Sequence, residues 1–428
     1  MDNRIQPERT WNWALLAILF IAAVLRIGFV HYANSHPERF MWPDSPRYLL
    51  VAGDIANGLG AIVSLTDRTG ADPGYPLLLS WPMRIWPGDV EKVAAAARWL
   101  NVPAGLATVV FVAYLGRLLF GARTGLIGAA ILAVQPIQLY YHGLVLTEVI
   151  YTTLMIGSLY VLARYMMGGA AANLFLAGIG LGIASLTRSS GLFLPLFLLP
   201  VVAYAGWRRA SSGKYGAAAS SVLVFGICYV CVLAPMAYRN YRIVGAPVPV
   251  RTGSGATLLE GNGPWADGGP GMEKVIWPEY PTDANEYARD QINWQTAVGY
   301  IKQDPARFAR LAVNKFLRTW NVRMNVSDFR RPAYDVLAMI STIPVYVLLA
   351  LGWWRHRRQV SRWYLLLAPA IYFSLLHMVF VGSARYRYPA MPAMMVLAAA
   401  TFATARSAGQ EAEALPAASC RPDTSETR

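Results

Sequence analysis

Long apolar segments alternate with short polar stretches along most of the chain. A helix needs about 20 mostly apolar residues to cross the hydrocarbon core of a bilayer. The pattern predicts ten transmembrane helices, of which the fifth and sixth are short and nearly continuous. The predicted spans are residues 11–32, 93–120, 124–141, 149–167, 173–185, 191–207, 217–238, 334–354, 363–381 and 390–405. This pattern is typical of an all-α polytopic membrane protein.

Composition supports this class. Hydrophobic residues make up 55% of the 428 positions and charged residues 14%, a balance too apolar for a soluble protein of this size. The sequence divides into an N-terminal segment (1–10), a transmembrane domain (11–405) and a polar tail (406–428) that we expect to be disordered. The first span is too long for a cleaved signal peptide, so we expect it to be retained.

The basic residues of the short loops predict the orientation, because Lys and Arg beside a span resist translocation. With the N-terminus inside, every short cytoplasmic segment is basic, and the long loops 33–92 and 239–333 lie outside. The inward basic residues are Arg4, Arg9, Arg117, Arg123, Arg164, Arg208, Arg209, Lys214, Arg355, Arg357, Arg358 and Arg362. Both termini are then cytoplasmic. Orientation and anionic lipid account for much of the formal net charge of +14, and we expect no nucleic-acid partner.

The two outer loops carry structure of their own. Apolar residues at 48–55 and 77–85 favour short helices lying in the membrane interface. In the second loop, 248–251 is compatible with a β-strand, and the Gly-rich region 253–271 lacks the Lys-Ser or Lys-Thr of a phosphate-binding loop. Asp304 precedes a proline and predicts the start of an amphipathic helix on the outer leaflet. These loops give a small mixed region beside the spans.

Polar residues also occur inside the predicted spans. Arg26 lies within the first span and is expected to pair with an inward-facing carboxylate. Cys228 and Cys231 form a CxxC in the seventh span without other ligands nearby, so we interpret them as small hydrophobic residues. Cys420 lies in the tail, so no disulfide framework is predicted. We expect neither a metal ion nor another cofactor.

Three acidic residues are candidates for chemistry at the outer face. Asp44 is flanked by Pro43 and Pro46, which restrict its backbone, and it is either a general base or the cap of the following helix. Asp72 precedes a proline and is either a second acidic group or a turn residue. Glu148 begins the fourth span and either faces a polar cavity or interacts with the helix dipole.

Several arginines lie at outer span ends, against the positive-inside tendency. Arg188 ends the fifth span, Arg239 and Arg242 follow the seventh, and Arg385 and Arg387 follow the ninth. The planar guanidinium suits phosphate oxygens, so these residues are candidates for binding one anionic ligand. The alternative is that each extends to a lipid headgroup.

The order of these motifs resembles the bacterial branch of the GT-C glycosyltransferases. These are membrane enzymes related to protein O-mannosyltransferases and lipid A aminoarabinose transferases. The resemblance covers residues 11–400 and depends on order and topology more than on any one motif. The motifs are Pro43-Asp44-Ser45-Pro46-Arg47-Tyr48, Pro73-Gly74-Tyr75-Pro76, Leu146-Thr147-Glu148, Leu186-Thr187-Arg188, Arg239-Asn240-Tyr241, Gly261-Asn262-Gly263-Pro264 and Arg385-Tyr386-Arg387-Tyr388-Pro389.

The resemblance implies a bacterial inner-membrane enzyme that transfers a sugar from a polyprenyl-phosphate donor to a lipid, glycan or protein hydroxyl at the periplasmic face. It implies that Asp44 is the catalytic carboxylate. For such a donor, we expect Arg188, Arg239, Arg385 and Arg387 to bind the phosphate, and we expect a single displacement to invert the anomeric centre. Ser45 stands where mannosyltransferases have a second acid, and the metal-binding DxD of oligosaccharyltransferases is missing from the first outer loop. A lipid-linked sugar transporter and a polysaccharide polymerase or ligase are the alternatives.

Overall fold

A computed structural model describes residues 5–58, 68–323 and 332–403, and these ranges contain sixteen α-helices and no β-strand. The predicted disordered tail and Cys420 lie outside the described residues. The helices are α1 (Ile5–Ser35), α2 (Ser45–Ala56), α3 (Gly74–Ile85), α4 (Val90–Phe120), α5 (Ala122–Val134), α6 (Pro136–His142), α7 (Glu148–Met166), α8 (Ala172–Thr187), α9 (Leu194–Arg209), α10 (Lys214–Val244), α11 (Ser254–Asn262), α12 (Glu286–Gln303), α13 (Pro305–Trp320), α14 (Pro332–His356), α15 (Val360–Val379) and α16 (Met391–Ala399).

The all-α polytopic class is confirmed, but the count of ten spans is not. In the described ranges, seven helices are long and apolar enough to cross a membrane, or eight if the bent pair α5 and α6 forms one span. The helix α8 is apolar but has only sixteen residues. The last predicted span contains α16, which has nine residues, all of them buried. At 1.5 Å per residue such a helix is about 14 Å long, too short to cross the bilayer core alone.

A sharp bend divides the third predicted span. The axes of α5 and α6 differ by 59°, and Gln135 between them is extended. Arg26 lies at this bend, where it donates to the carbonyl oxygens of Leu132 and Ala133 at 3.4 and 3.2 Å and to His142 Nε2 at 3.2 Å. The prediction that Arg26 pairs with a carboxylate is therefore wrong. The guanidinium instead satisfies helix-end carbonyls that have no intrahelical partner.

Helices form at both predicted positions in the first outer loop, as α2 and α3. No strand forms at 248–251, because the side-chain amide of Asn240 donates to the carbonyl oxygens of Val248 and Val250, each at 2.9 Å. The predicted start of α13 is confirmed, since Asp304 Oδ1 accepts from the backbone N–H of Arg307 at 2.8 Å. The buried face of α13 packs against α15 and the 3-10 segment Ala384–Ala390.

The packing brings several element ends together. The helix α16 packs against α4, α5, α14 and α15, and the 3-10 segment Ala384–Ala390 that precedes it contacts α7, α13 and α15. The helix α3 contacts both α4 and α8. As a result, the first turn of α7, the end of α8 and the 3-10 segment lie beside the first outer loop, and the polar residues of these ends meet there.

Candidate active site

Arg385, near the C-terminal end of the described chain, contacts two of the predicted acidic residues, Asp44 and Glu148. Its Nη1 donates to Asp44 Oδ2 at 2.7 Å, and its Nε donates to Glu148 Oε1. The side chain of Glu148 is fully buried, whereas that of Asp44 is 50% exposed. The guanidinium carbon lies 5.3 Å from the centroid of the Trp42 ring, within cation–π range. Arg385 is therefore fixed on its buried side and open to solvent near Asp44.

Asp44 does not cap the helix it precedes. It stands at the N-cap position of α2, but its side chain makes no capping hydrogen bond. The neighbouring Ser45 hydroxyl accepts instead from the backbone N–H of Trp42 at 3.1 Å. The carboxylate of Asp44 is thus directed to Arg385 and not to the helix backbone.

Arg188 is the second guanidinium at Glu148. Its Nη1 lies 3.0 Å from Glu148 Oε1 and donates to the Thr147 hydroxyl at 2.9 Å, while its Nε donates to the Ser190 hydroxyl at 3.0 Å. Glu148 begins α7, so its predicted position in the first turn of a helix is confirmed, and its side chain pairs with two arginines. A buried carboxylate shared by two guanidiniums fixes the spacing between them.

Asp72 belongs to a neighbouring ion pair. Its Oδ1 accepts from the backbone N–H of Ser189 at 3.1 Å and lies 3.5 Å from Arg251 Nε. Arg251 also donates to the Ser189 hydroxyl at 3.0 Å and to the Gly70 carbonyl at 3.1 Å. These contacts tie both outer loops to the turn after α8. Asp72 therefore stands at a junction of three segments, adjacent to the Asp44 group.

The electrostatics show that these groups share one environment. Burial tends to raise the pKa of Asp44, but the guanidiniums of Arg385, Arg188 and Arg251 outweigh it and hold the pKa below its ordinary value. Burial and the Asp44 carboxylate raise the pKa of Tyr48 to about 12, so this phenol stays protonated at neutral pH. A carboxylate with three nearby cations is ionised at neutral pH, which a proton acceptor requires.

Each of the three guanidiniums keeps one donor group unused. In the described part of the chain, Nη2 has no hydrogen-bond partner in Arg188, Arg251 or Arg385. None of these three atoms belongs to the fully buried unsatisfied groups, so each retains access to solvent. Because carboxylates already orient the guanidiniums, each free donor can contact an anionic oxygen without reorientation of its side chain.

The other predicted phosphate ligands lie elsewhere. Arg387 is only 2% exposed and donates to the carbonyl oxygens of Thr319 and Asn321 at the end of α13. Arg239 donates to the Asn240 side chain and to the Arg68 carbonyl, the latter at 2.8 Å. Both make backbone contacts that join segments, and neither has a described contact with Asp44 or Glu148.

The structure adds three residues that the sequence did not single out. Arg251 completes the guanidinium group, and Tyr48 lies one turn after Asp44 on α2. Tyr386 stacks on His377 with ring centroids 3.9 Å apart and planes 3° from parallel, within electrostatic range of Arg385, Arg188 and Asp44. Tyr48 and Tyr386 both lie within motifs on which the family resemblance depends, so the sequence contained a signal for them. Arg251 follows a proline-rich stretch with no signal of its own.

Among the described residues, no group of three or more His, Cys, Asp or Glu side chains is arranged to hold a metal ion. The protein groups that converge here are three carboxylates and three guanidiniums, in two adjoining clusters. The candidate site thus combines an ionised, half-exposed carboxylate with donors suited to phosphate.

One protein-family model matches part of the chain. A family model described as dolichyl-phosphate-mannose-protein mannosyltransferase matches residues 73–233. This range holds Glu148 and Arg188 and excludes Asp44 and Arg385. No match was found among curated protein sequences.

Solved structures of an archaeal oligosaccharyltransferase share the architecture. The oligosaccharyltransferase AglB from Archaeoglobus fulgidus, in complex with an inhibitory peptide and a dolichol-phosphate, matches with a TM-score of 0.53 at 14% identity, over 90% of this chain and 50% of that one. An apo form of the Archaeoglobus fulgidus oligosaccharyltransferase gives 0.54 at 13% identity, over 90% and 50%. ArnT from Cupriavidus metallidurans bound to undecaprenyl phosphate gives 0.36 at 14%, over 92% and 77%. The chain spans about half the length of the archaeal structures. The resemblance to the GT-C glycosyltransferases is confirmed for the fold.

Proposed function

We propose that this protein is a membrane glycosyltransferase that moves a sugar from a polyprenyl-phosphate donor to an acceptor hydroxyl. The observation that supports this most directly is the set of unused Nη2 donors of Arg188, Arg251 and Arg385 around the half-exposed Asp44. The match of part of the chain to a mannosyltransferase family model agrees with it. So does a scaffold of apolar helices, since a prenyl chain needs an apolar environment while its phosphate stays at a polar surface.

The arginines stabilise the leaving group in this mechanism. As the bond between the anomeric carbon and the phosphate oxygen breaks, negative charge develops on the phosphate. Guanidinium donors already oriented by Glu148 and Asp72 meet that charge without reorganising. The donor phosphate is therefore placed against Arg188 and Arg385, with Arg251 at its edge.

Asp44 accepts the proton in the same step. The acceptor hydroxyl oxygen forms a bond to the anomeric carbon, its proton moves to an Asp44 oxygen, and the lipid phosphate departs with the bonding electron pair. A carboxylate of low pKa suits this role when proton transfer comes late in the transition state. A single displacement from the face opposite the phosphate inverts the anomeric centre. Lipids, glycans and proteins all offer suitable hydroxyls.

The orientation belongs to the proposal. The basic residues at the other ends of the spans, Arg208, Arg209, Arg355 and Arg357 among them, favour the cytoplasmic face for those ends. The site then faces the periplasm of a bacterial inner membrane, with both termini in the cytoplasm. Labelling of a cysteine introduced near Gly268, at the exposed residue Pro270, by a membrane-impermeant reagent in spheroplasts tests this orientation, and protection of that cysteine would contradict it.

Transfer by the purified protein tests the function. The protein in lipid nanodiscs is incubated with radiolabelled sugars on undecaprenyl phosphate and with lipid, glycan or peptide acceptors. We expect a labelled acceptor and free undecaprenyl phosphate in equal amounts, and loss of both products with Asp44→Asn. Movement of the donor between leaflets of proteoliposomes without transfer would favour the transporter. Extension of a repeat-unit glycan by whole repeats would favour the polymerase.

A further inference from the structure

We propose that the donor phosphate displaces Asp44 from Arg385, so that binding of the donor releases the base that the reaction needs. This inference depends on the proposed function and concerns the order of events at the same site. In the structure, Arg385 Nη1 donates to Asp44, so a phosphate that contacts the unused Nη2 and binds as a bidentate fork also needs the nitrogen that Asp44 occupies.

The two carboxylates on Arg385 are held unequally. Glu148 is fully buried and is also paired with Arg188 at 3.0 Å, so moving it would leave two guanidiniums without their partner. Asp44 is 50% exposed and contacts Arg385 alone among the basic side chains of the described residues. Water can solvate a released Asp44, whereas a released Glu148 would remain in a buried environment. Asp44 is therefore the carboxylate that gives way.

Charge balance points the same way. Three arginines face three acidic side chains, so the site is close to neutral before a ligand binds; the pairs are Arg385 with Asp44 and Glu148, Arg188 with Glu148, and Arg251 with Asp72. An incoming phosphate adds negative charge that must either remain uncompensated or replace a carboxylate. Asp72 is 6% exposed and bonded to the Ser189 backbone, which leaves Asp44 as the replaceable partner.

The exchange changes the chemistry of Asp44. While Arg385 Nη1 donates to Oδ2, that oxygen is occupied and its basicity is reduced. Once phosphate takes Nη1, the oxygen becomes free for the acceptor hydroxyl, and the nearby phosphate charge favours proton uptake. The guanidinium itself stays in place, because Glu148 and the Trp42 ring hold it. Donor binding thus frees Asp44 to act as the base. If the acceptor binds first, Asp44 is still hydrogen-bonded to Arg385.

The same exchange runs backwards after transfer. The proton accepted by Asp44 passes to solvent or to the departing phosphate, and the carboxylate again pairs with Arg385. By competing for Nη1, Asp44 assists release of the lipid phosphate. Removal of Asp44 should therefore strengthen phosphate binding, whereas a residue acting only as a base would leave that affinity unchanged.

Binding of undecaprenyl phosphate to the purified protein in nanodiscs tests this, with the dissociation constant measured by calorimetry. We expect Asp44→Ala to bind about fivefold more tightly than the wild type, the size expected for removing one partly exposed ionic competitor. Asp44→Asn should show a smaller gain, since its amide oxygen still accepts from Arg385. Glu38→Gln removes an acidic charge from the first outer loop, at an exposed side chain paired with Arg39, and should leave the affinity unchanged.

The double variant Asp44→Ala, Arg385→Ala identifies the origin of the gain. If Asp44 competes for Arg385, the double variant should bind undecaprenyl phosphate no more tightly than Arg385→Ala alone. A thermal melting curve of each variant confirms folding, and Asp44→Asn serves if the alanine variant fails to fold. Unchanged or weaker binding by both Asp44 variants, with a wild type that binds and transfers, would overturn the exchange and leave the proposed function intact. A wild type that neither binds polyprenyl phosphate nor transfers sugar would overturn the function.

Discussion

Two arginines in this molecule, Arg26 and Arg385, differ in what their guanidiniums contact. Arg26 lies inside the helix bundle, is 1% exposed and donates to three backbone carbonyls and His142. Arg385 lies at the end of the bundle and contacts two carboxylates, one of them half exposed. The first arrangement uses the guanidinium to complete a broken helix. The second leaves both an unused donor and an exchangeable partner, which is what ligand binding needs.

The segment Arg385-Tyr386-Arg387 shows the same contrast between two arginines that are two positions apart. Arg387 is buried and donates to carbonyl oxygens at the end of α13, as Arg26 does at the end of α5. Arg385 faces the acidic group. Successive residues of a 3-10 segment point in different directions, so one arginine fixes the segment to α13 and the other enters the site. Arg387 therefore joins two segments through carbonyl oxygens, whereas Arg385 pairs with carboxylates and keeps a free donor at the candidate site.

The largest effect should come from the exchangeable carboxylate. Asp44→Asn keeps the size of the side chain but removes the proton acceptor, so we expect transfer to fall by about 10³-fold, within the usual range for general base catalysis. The measurement is the single-turnover rate with saturating undecaprenyl-phosphate sugar. Asp54→Asn on the same interfacial helix α2 is the matched control, and it should retain the wild-type rate. Equal losses in the two variants would remove the distinction assigned to Asp44.

The donor side of the comparison is tested by Arg385→Lys. An ammonium group cannot contact Glu148 and a phosphate oxygen in the same fork geometry, so we expect turnover to fall by about 10²-fold. Separate values of kcat and KM show whether the contact strengthens as charge develops or serves binding alone. Arg355→Lys, whose guanidinium donates to the Ala403 carbonyl, should change neither value. A lysine variant with normal turnover would mean that the outer arginines contact lipid headgroups only.

Arg26→Gln tests the structural role of the contacts that Arg26 makes inside the helix bundle. Loss of the guanidinium leaves buried carbonyls at the α5 end unpaired, so we expect a loss of about 2 kcal/mol in the free energy of unfolding. The rate per folded molecule should stay within about threefold of the wild type, far below the loss expected at Arg385. Arg26→Lys retains a donor for these carbonyls and should recover part of the stability. A folded Arg26→Gln protein that transfers no sugar would show that Arg26 takes part in the reaction.

The sequence predicted the fold class, the two helices of the first outer loop and the start of α13, because each depends on local periodicity or capping chemistry. It did not predict the bend between α5 and α6 or the nine-residue α16, since both depend on buried partners distant in the chain. Within the site, Asp44, Glu148, Arg188 and Arg385 meet as a group through pairings that span up to 341 positions. A pattern of outer arginines could not separate Arg385 from Arg387, because they differ only in the direction in which each points.

The smallest expected effect is a displacement between two pH profiles. Arg385, Arg188 and Arg251 face Asp44 and hold its pKa below its ordinary value against the effect of burial, and the Tyr48 phenol nearby remains neutral. Since the base acts when deprotonated, kcat/KM, which reports the free enzyme, should fall only below the ordinary aspartate pKa of about 4. If donor phosphate replaces Asp44 on Arg385, the pKa in the complex rises, and the acid limb of kcat should lie at higher pH than that of kcat/KM. Rates measured in nanodiscs from pH 3 to about 8, with melting curves at each pH to exclude unfolding, give both limbs. Coincident limbs would mean that Asp44 keeps the same surroundings with and without the donor, and the exchange at Arg385 would then be wrong.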